Sequence, residues 1–185
     1  MMQTKNLNPK LDRQIKILDE KLIKLLRDVK VYSEDQLNRK PNENSWSVIQ
    51  VMHHLMMSES ASLHYVKKKL SFNPELKNAG IKATMREFSL ITYLNSPLKR
   101  KAPEAISGDN LPVFETFWKT AQQWKNQRIE LREYLETLPE DLLKKEVYKH
   151  PFVGRITVGG MLRFFEKHFD RHMKQIQKIT RNYYI

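Results

Sequence analysis

The sequence predicts an all-α protein, a four-helix bundle built from two similar helical hairpins with a long, partly helical connection between the second and third helices. Proline positions are the first reason, because a proline inside a helix costs about 3 kcal/mol but is tolerated in the first turn. The eight prolines stand at positions 9, 41, 74, 97, 103, 112, 139 and 151, and leave four long proline-free windows. Within these windows apolar residues recur at steps of three and four, as on the buried side of a bundle helix.

Length and composition agree with this class. A chain of 185 residues that is 40% hydrophobic and 29% charged is typical of one soluble globular domain, expected to span residues 1–185. No apolar run is long enough to span a bilayer and the N-terminus lacks the apolar core of a signal peptide, so the cytoplasm is the expected location and no membrane partner is expected. The chain has no cysteine. Disulfides, thiolate metal sites and a cysteine nucleophile are therefore excluded, and a metal would need His, Asp or Glu ligands.

The formal net charge of +12 raises nucleic-acid binding as a possible function. However, the basic residues are scattered over helix faces and no known nucleic-acid motif is present. A solvated basic surface is therefore the favoured interpretation.

The first two helices form the first predicted hairpin. The first begins at Asn8, a cap followed by proline at the first helical position, and ends near Tyr32. Its apolar seam consists of Leu7, Leu11, Ile15, Leu18, Leu22, Leu25 and Val29. The second begins at a Ser45 or Asn44 cap and ends near Leu70. Its apolar face carries unexpected polar residues: His53, His54 and Glu59.

Residues 71–110 are the least regular part of the chain, although roughly Leu76–Ile91 is expected to form one helix. A connection of this length is uncommon without a function of its own. It either crosses over an end of the bundle, which we favour, or forms a lid over a site.

The third helix is expected after Asn110, with Pro112 in its first turn. Its seam consists of Phe114, Phe117, Trp118, Ala121, Trp124, Leu131, Leu135 and Leu138. We expect both tryptophans of this seam in the core. The fourth helix is expected to begin at a Thr157 cap and to end near Ile179.

His168 and His172 stand in the middle of the apolar side of the fourth helix, one turn apart. Two imidazoles four residues apart on a helix point the same way and can bind one cation. In a bundle of two similar hairpins the second and fourth helices meet inside, which brings His53 or His54 towards this pair. Periodicity alone slightly favours His53 as the residue that faces this pair. Three imidazoles would form an open, catalytic type of metal site; alternatively, all are hydrogen-bonded core or surface histidines.

Arg128 and Glu59 both face inward by periodicity. A buried charge without a partner costs several kcal/mol, so each needs one. We favour their pairing with each other. The alternative is that Arg128 is a substrate-anion contact near the metal, since a guanidinium can bind an anion through two donors.

Two segments resemble motifs of the DinB/YfiT-like superfamily. WSVIQVMHHLMMSE is similar to the first motif of that family, in which a serine-led helix carries a His-Leu pair and a later Glu. HPFVGRITVGGMLRFFEKHFDRHMKQI is similar to the last motif, whose H-x3-H-x2-Q ending is matched by His168, His172 and Gln175. The family is a four-helix bundle with a three-histidine divalent metal site, and its characterised members include thiol-dependent transferases and isomerases.

The resemblance implies that His54, His168 and His172 bind a divalent metal ion, for which Zn²⁺ and Ni²⁺ are the expected candidates. It assigns His53 a packing or supporting role and places His150 in a His-Pro loop, as a structural or rim residue. The implied function is a metal-dependent enzyme acting on a small-molecule substrate, as a hydrolase or as a thiol-dependent transferase. Because the chain lacks cysteine, a thiol would have to come from a low-molecular-weight cosubstrate.

Two other functions compete with this one. The protein could be a non-catalytic metal-binding or structural bundle, for instance a homodimer. A basic nucleic-acid-binding protein is the less favoured alternative. No residue pattern identifies the substrate.

Overall fold

Four long helices form the body of the protein in the computed structural model, which describes residues 7–98, 106 and 108–183. In these residues the α-helices are α1 (Pro9–Val29), α2 (Glu34–Asn38), α3 (Val48–Ser71), α4 (Ile81–Asn95), α5 (Phe117–Glu136) and α6 (Val158–Tyr183), and there are two short 3-10 helices, Gly108–Asn110 and Glu140–Lys144. The four long ones, α1, α3, α5 and α6, form the bundle, which confirms the predicted fold class. None of the helices in these ranges has the length and apolar character needed to cross a bilayer.

The starts of α1 and α3 follow ordinary capping rules. The side chain of Asn8 accepts a hydrogen bond from the Lys10 amide, and Pro9 occupies the first helical position as expected. Helix α3 is capped by Ser47, rather than by the predicted Ser45 or Asn44. Ser47 and Gln50 form a reciprocal capping box, with bonds of 3.2 and 3.1 Å between each side chain and the other residue's amide.

Helix α5 begins at Phe117, so the prediction of a helix starting around Pro112 was wrong. Two groups define this start: the Thr116 hydroxyl, a local cap, accepts a hydrogen bond from the Lys119 amide at 3.3 Å, and the carboxylate of Glu34 in α2 accepts one from the Phe117 amide at 2.9 Å. Phe114, which precedes the helix, and Trp118, which lies off the buried side of α5, are exposed, although both were predicted in the buried seam. Trp124, the other tryptophan of that seam, is fully buried as expected.

In its described residues the connection between α3 and α5 contains one α-helix, α4, as predicted, but this helix begins later than the expected Leu76–Ile91. Its inner side buries Ala83, Leu90 and Leu94. Its neighbours are α6 and a small antiparallel hairpin, β1 (Tyr148–His150) and β2 (Gly154–Ile156), in which Tyr148 is opposite Ile156. The sequence pattern does not predict this hairpin.

Helix α6 starts where the hairpin ends, and its cap is as predicted. The Thr157 hydroxyl oxygen accepts from the Gly160 amide at 2.9 Å. From there α6 runs between α1, α3 and α4, and the apolar core on either side of its middle contains Phe165, Phe169 and Ile176. Its middle turns therefore lie inside the bundle, beside α3.

Candidate metal centre

Three histidine side chains meet between α3 and α6. The Nε2 atom of His168 lies 3.2 Å from Nε2 of His54 and 3.0 Å from Nε2 of His172. The pair on α6 comes together because residues four apart share one side of a helix. His54 joins it because α3 packs against α6 at that depth.

Two of the three rings are held by a hydrogen bond at the nitrogen that points away from the centre. Nδ1 of His54 lies 2.7 Å from the backbone carbonyl oxygen of Ile106, and Nδ1 of His172 lies 2.8 Å from the side-chain oxygen of Gln175. A carbonyl oxygen only accepts, so each Nδ1 donates. In the neutral rings, Nε2 then carries a lone pair directed at the common centre.

These distances fit a shared metal ion. Nitrogen atoms each 2.0–2.1 Å from one ion, at angles between octahedral and tetrahedral values, lie about 2.9–3.4 Å apart. The two measured Nε2–Nε2 separations, 3.0 and 3.2 Å, fall in this range. Among the described residues the cluster consists of His54, His168 and His172, without a carboxylate.

Burial keeps these imidazoles neutral at pH 7, the form that binds metal. It lowers the pKa of His54, and the hydrogen bond to the Ile106 carbonyl offsets part of this effect. It lowers the pKa of His172 to about 3. The pKa of His168 lies well below its ordinary value, first because of burial and then because a proton on its ring would be repelled by protonated His172, His54 and His150 and by Arg171.

Aromatic rings form the walls of the centre. The ring of Phe164 stacks on His168 with a centroid separation of 5.1 Å. The Trp46 indole, which precedes α3, lies 4.8 Å from the ring of His54 and 6.3 Å from that of His172. Trp46 is not among the residues that the sequence predicts for the site, although it stands at the start of the first motif.

Comparison with known proteins gives the family. The family model of the DinB superfamily matches residues 14–176. The chain belongs to the DinB superfamily. Among curated proteins, the uncharacterized protein YuaE of Bacillus subtilis (strain 168) is 26% identical over 166 residues, which cover 88% of this chain and 94% of YuaE.

A solved structure shares the fold. It is that of YfiT from Bacillus subtilis, a probable metal-dependent hydrolase with an unusual four-helix bundle topology. The TM-score is 0.60 at 20% sequence identity, and the match covers 98% of this chain and 92% of the YfiT chain. This likeness confirms the bundle predicted from the DinB/YfiT-like resemblance.

The remaining histidines of this DinB-superfamily chain lie outside the cluster. Nε2 of His53 is 3.1 Å from the hydroxyl of Thr120 in α5, so His53 faces a different helix from His54. His64 is exposed. His150 is buried against Phe164, with ring centroids 4.6 Å apart, and stands one ring away from the cluster.

Arg128 and Glu59 pair with each other, as favoured above. Arg128 Nε donates to Glu59 Oε2 at 2.7 Å and Nη2 donates to Oε1 at 2.8 Å, and each residue is only 4% exposed. The Trp124 indole N–H also donates to Oε2, at 3.1 Å. Since two of the three guanidinium nitrogens are engaged in this pair, the observed geometry is structural. A role for Arg128 as a substrate-anion contact stays a prediction.

Proposed function

We propose that this protein binds one divalent metal ion through Nε2 of His54, His168 and His172 and acts as a metal-dependent enzyme on a small-molecule substrate, either as a hydrolase or as a thiol-dependent transferase. The observation that carries the proposal is the convergence of three Nε2 atoms, with that of His168 3.0–3.2 Å from the other two. The rings of His54 and His172 are also held by hydrogen bonds at Nδ1. Zn²⁺ and Ni²⁺ are the proposed ions, because imidazole ligands suit both.

The shared fold with YfiT supports a reaction that depends on a metal. That protein is a probable metal-dependent hydrolase. Three protein ligands leave coordination positions free, as in catalytic rather than structural zinc sites. When bound, the metal supplies a Lewis acid that polarises an electrophile or lowers the pKa of a bound water or thiol.

The charges around the centre favour an anionic ligand. Three neutral imidazoles contribute no negative charge to the cluster, and the Arg171 guanidinium is close enough to lower the pKa of both His168 and His172. A hydroxide, a carboxylate or a thiolate would each compensate this excess of positive charge. A thiolate would belong to a low-molecular-weight cosubstrate, because the chain has no cysteine.

The protein's own groups prepare the site before a ligand arrives. The Ile106 carbonyl and the Gln175 amide hold two rings in the tautomer that directs Nε2 at the centre. Trp46 and Phe164 cover ring faces and displace water from the walls, which strengthens electrostatic interactions inside the site.

Metal analysis of purified protein after loading with Zn²⁺ or Ni²⁺ tests the proposal. We expect about one ion per wild-type chain and a loss of most of it in His54→Ala and His168→Ala. His53→Ala is the matched control, because its ring is the neighbour of His54 in sequence but contacts Thr120 instead. Wild-type protein without stoichiometric metal under any loading condition contradicts the proposal, and so does equal metal loss in His53→Ala and His54→Ala.

Turnover is tested separately on the loaded protein, with ester and amide substrates for hydrolysis and with small thiols plus electrophiles for transfer. Activity that disappears in His54→Ala and survives in His53→Ala supports the enzyme. Metal that stabilises the fold without any turnover supports the non-catalytic bundle instead. Binding of DNA with a steep salt dependence would support the basic nucleic-acid-binding alternative.

A further inference from the structure

Arg171 places a positive charge beside a centre that is proposed to bind a cation. Burial is the main cause of the low pKa values of His168 and His172, and the charge of Arg171 lowers both further. By charge alone the guanidinium would oppose the binding of a metal ion. Among the described residues no carboxylate forms an ion pair with it, and the neighbouring Asp170 pairs with lysines instead. The presence of Arg171 at this position therefore needs another explanation.

The guanidinium is bound to backbone carbonyls at the end of α4. Nη1 donates to the Leu94 carbonyl at 3.2 Å and to the Ser96 carbonyl at 2.8 Å, and Nη2 donates to the Leu98 carbonyl. Leu94 lies in the last turn of α4, where carbonyls lack partners within the helix and carry the negative end of the helix dipole. The Tyr93 ring lies 5.4 Å from the guanidinium carbon. Arg171 thus caps the C-terminus of α4.

The chain beyond this cap supplies a group to the metal centre. Ile106, eight residues after Leu98, presents the backbone carbonyl that accepts from Nδ1 of His54 at 2.7 Å. Further along, the chain is attached again at Pro112, whose carbonyl accepts from the side-chain amide of Gln50 in α3 at 3.1 Å. In sequence, Ile106 therefore lies between two attached points, one on each of the helices that supply the histidines.

We propose that Arg171 is a positioning residue of the metal centre, which fixes the end of α4 on α6 so that the following chain presents the Ile106 carbonyl to His54. That carbonyl keeps the proton of the neutral His54 ring on Nδ1 and leaves the lone pair of Nε2 for the ion. Because the carbonyl is in place before the ion arrives, metal binding does not have to order it. Its effect on metal affinity rests on the proposed function. Arg171 thus acts on the histidine of the other helix, whereas Gln175 holds its own neighbour, His172.

Charge and position predict opposite effects of removing the guanidinium. If Arg171 acted through its charge alone, Arg171→Met would bind a divalent ion more tightly, because a repulsion would be lost. Positioning predicts binding that is about 3- to 10-fold weaker, a smaller loss than for a group that contacts a metal-ligating imidazole directly. Arg171→Lys keeps the charge, but its single nitrogen cannot reproduce the contacts that two guanidinium nitrogens make, so it should weaken binding as well.

Isothermal titration calorimetry with Zn²⁺ measures these affinities. Lys174→Met is the matched control: Lys174 is exposed on the same helix, and its replacement removes the same charge. This control should bind Zn²⁺ as tightly as wild type or slightly more tightly. An Arg171→Met variant that binds Zn²⁺ as tightly as wild type, or more tightly, overturns the proposal. Equal binding by Arg171→Lys and wild type also overturns it, because a positive charge would then suffice.

The tautomer of His54 in metal-free protein at pH 7 is an independent measurement. Long-range ¹H–¹⁵N NMR spectra of the imidazoles distinguish a protonated ring nitrogen from an unprotonated one. In wild type the proton of His54 should be on Nδ1, and in Arg171→Met a substantial share of it should move to Nε2. His172 is the internal control, since its acceptor on Gln175 is unchanged and its proton should stay on Nδ1.

A His54 tautomer that is the same in Arg171→Met and wild type overturns the proposal. Wild-type protein that binds no Zn²⁺ would overturn the proposed function alone, because the tautomers are measured without metal. The two failures are therefore distinguishable.

Discussion

Replacing Glu59 by leucine is expected to lower the free energy of unfolding by about 3–5 kcal/mol, because it leaves Arg128 as a buried cation without its partner. Arg128 is 4% exposed and donates twice to Glu59, at 2.7 and 2.8 Å. The nearest remaining carboxylate belongs to Asp19 and lies 3.7 Å from Nη1, an atom that has no hydrogen-bond partner. Asp19 can therefore compensate only part of the charge, and the lower end of the range is the better expectation.

The reverse variant, Arg128→Met, strands Glu59 with the Trp124 indole as its remaining donor and should cost a similar amount. The double variant Glu59→Leu/Arg128→Met removes both charges, so its stability should lie within about 2 kcal/mol of wild type. The two single losses then do not add, which is the signature of a direct pair.

Urea unfolding at pH 7 in the presence of a chelator measures these values without interference from bound metal. Metal content after loading should stay at the wild-type level in all three variants, because the pair is distinct from the histidine cluster. A cost below about 1 kcal/mol for either single variant, or a double variant equal to the sum of the singles, would refute the reasoning. An Arg128→Met variant as stable as wild type would show that the fold does not need this pair. That result would favour the alternative, in which Arg128 contacts a substrate anion.

Three further outcomes are expected. Gln175→Leu should weaken metal binding about 10- to 100-fold, because it removes the acceptor that orients the His172 imidazole. Gln177 is exposed, so Gln177→Leu is the control and should bind metal like wild type. Isothermal titration calorimetry compares the two variants. Gly160→Ala should be less stable than Gly159→Ala by about 1–2 kcal/mol in urea unfolding, since a Cβ at Gly160 would overlap the Glu87 carboxylate and displace it from its hydrogen bond with Thr157, whereas at Gly159 the nearest atom is 3.7 Å away. His150 should make the fold sensitive to acid: burial lowers its pKa to about 4, so between about pH 6.5 and 4 the unfolded chain binds a proton that the native one does not. The unfolding free energy of wild type, measured with chelator, should fall over that interval by up to about 3 kcal/mol more than that of His150→Gln; equal losses would show that the native pKa is not lowered.

Local sequence pattern predicted the four bundle helices well, because each is long and has a strong three-and-four apolar repeat. It failed where distant groups determine the structure. The start of α5 depends not only on the local Thr116 cap but also on the Glu34 carboxylate of α2, which accepts a hydrogen bond from the Phe117 amide. The strands β1 and β2 contain three residues each, too few to show a pattern of alternation.

The candidate centre, too, was predictable from the sequence only in part. The pairing of His168 with His172 is local and could be derived from helix geometry alone. The choice between His53 and His54 could not, because α3 is apolar nearly all round at its start and either ring could have faced α6. The family resemblance favoured His54, and the structure places His54 in the cluster and His53 against α5. The Ile106 carbonyl was not predictable, since a backbone acceptor has no side chain to mark it.

The described part of the α3–α5 connection is better explained as a crossover than as a lid. A lid opens at low cost and therefore makes few interactions with the body of the protein. Helix α4 instead buries apolar residues, and Arg171 of α6 donates to the Leu94 and Ser96 carbonyls at its C-terminal end, at 3.2 and 2.8 Å. Arg171 is adjacent to His172, and beyond this end of α4 the Ile106 carbonyl accepts from His54. The connection is thus hydrogen-bonded to both helices that supply the histidines, through Arg171 of α6 and His54 of α3. These bonds help to orient the histidine side chains.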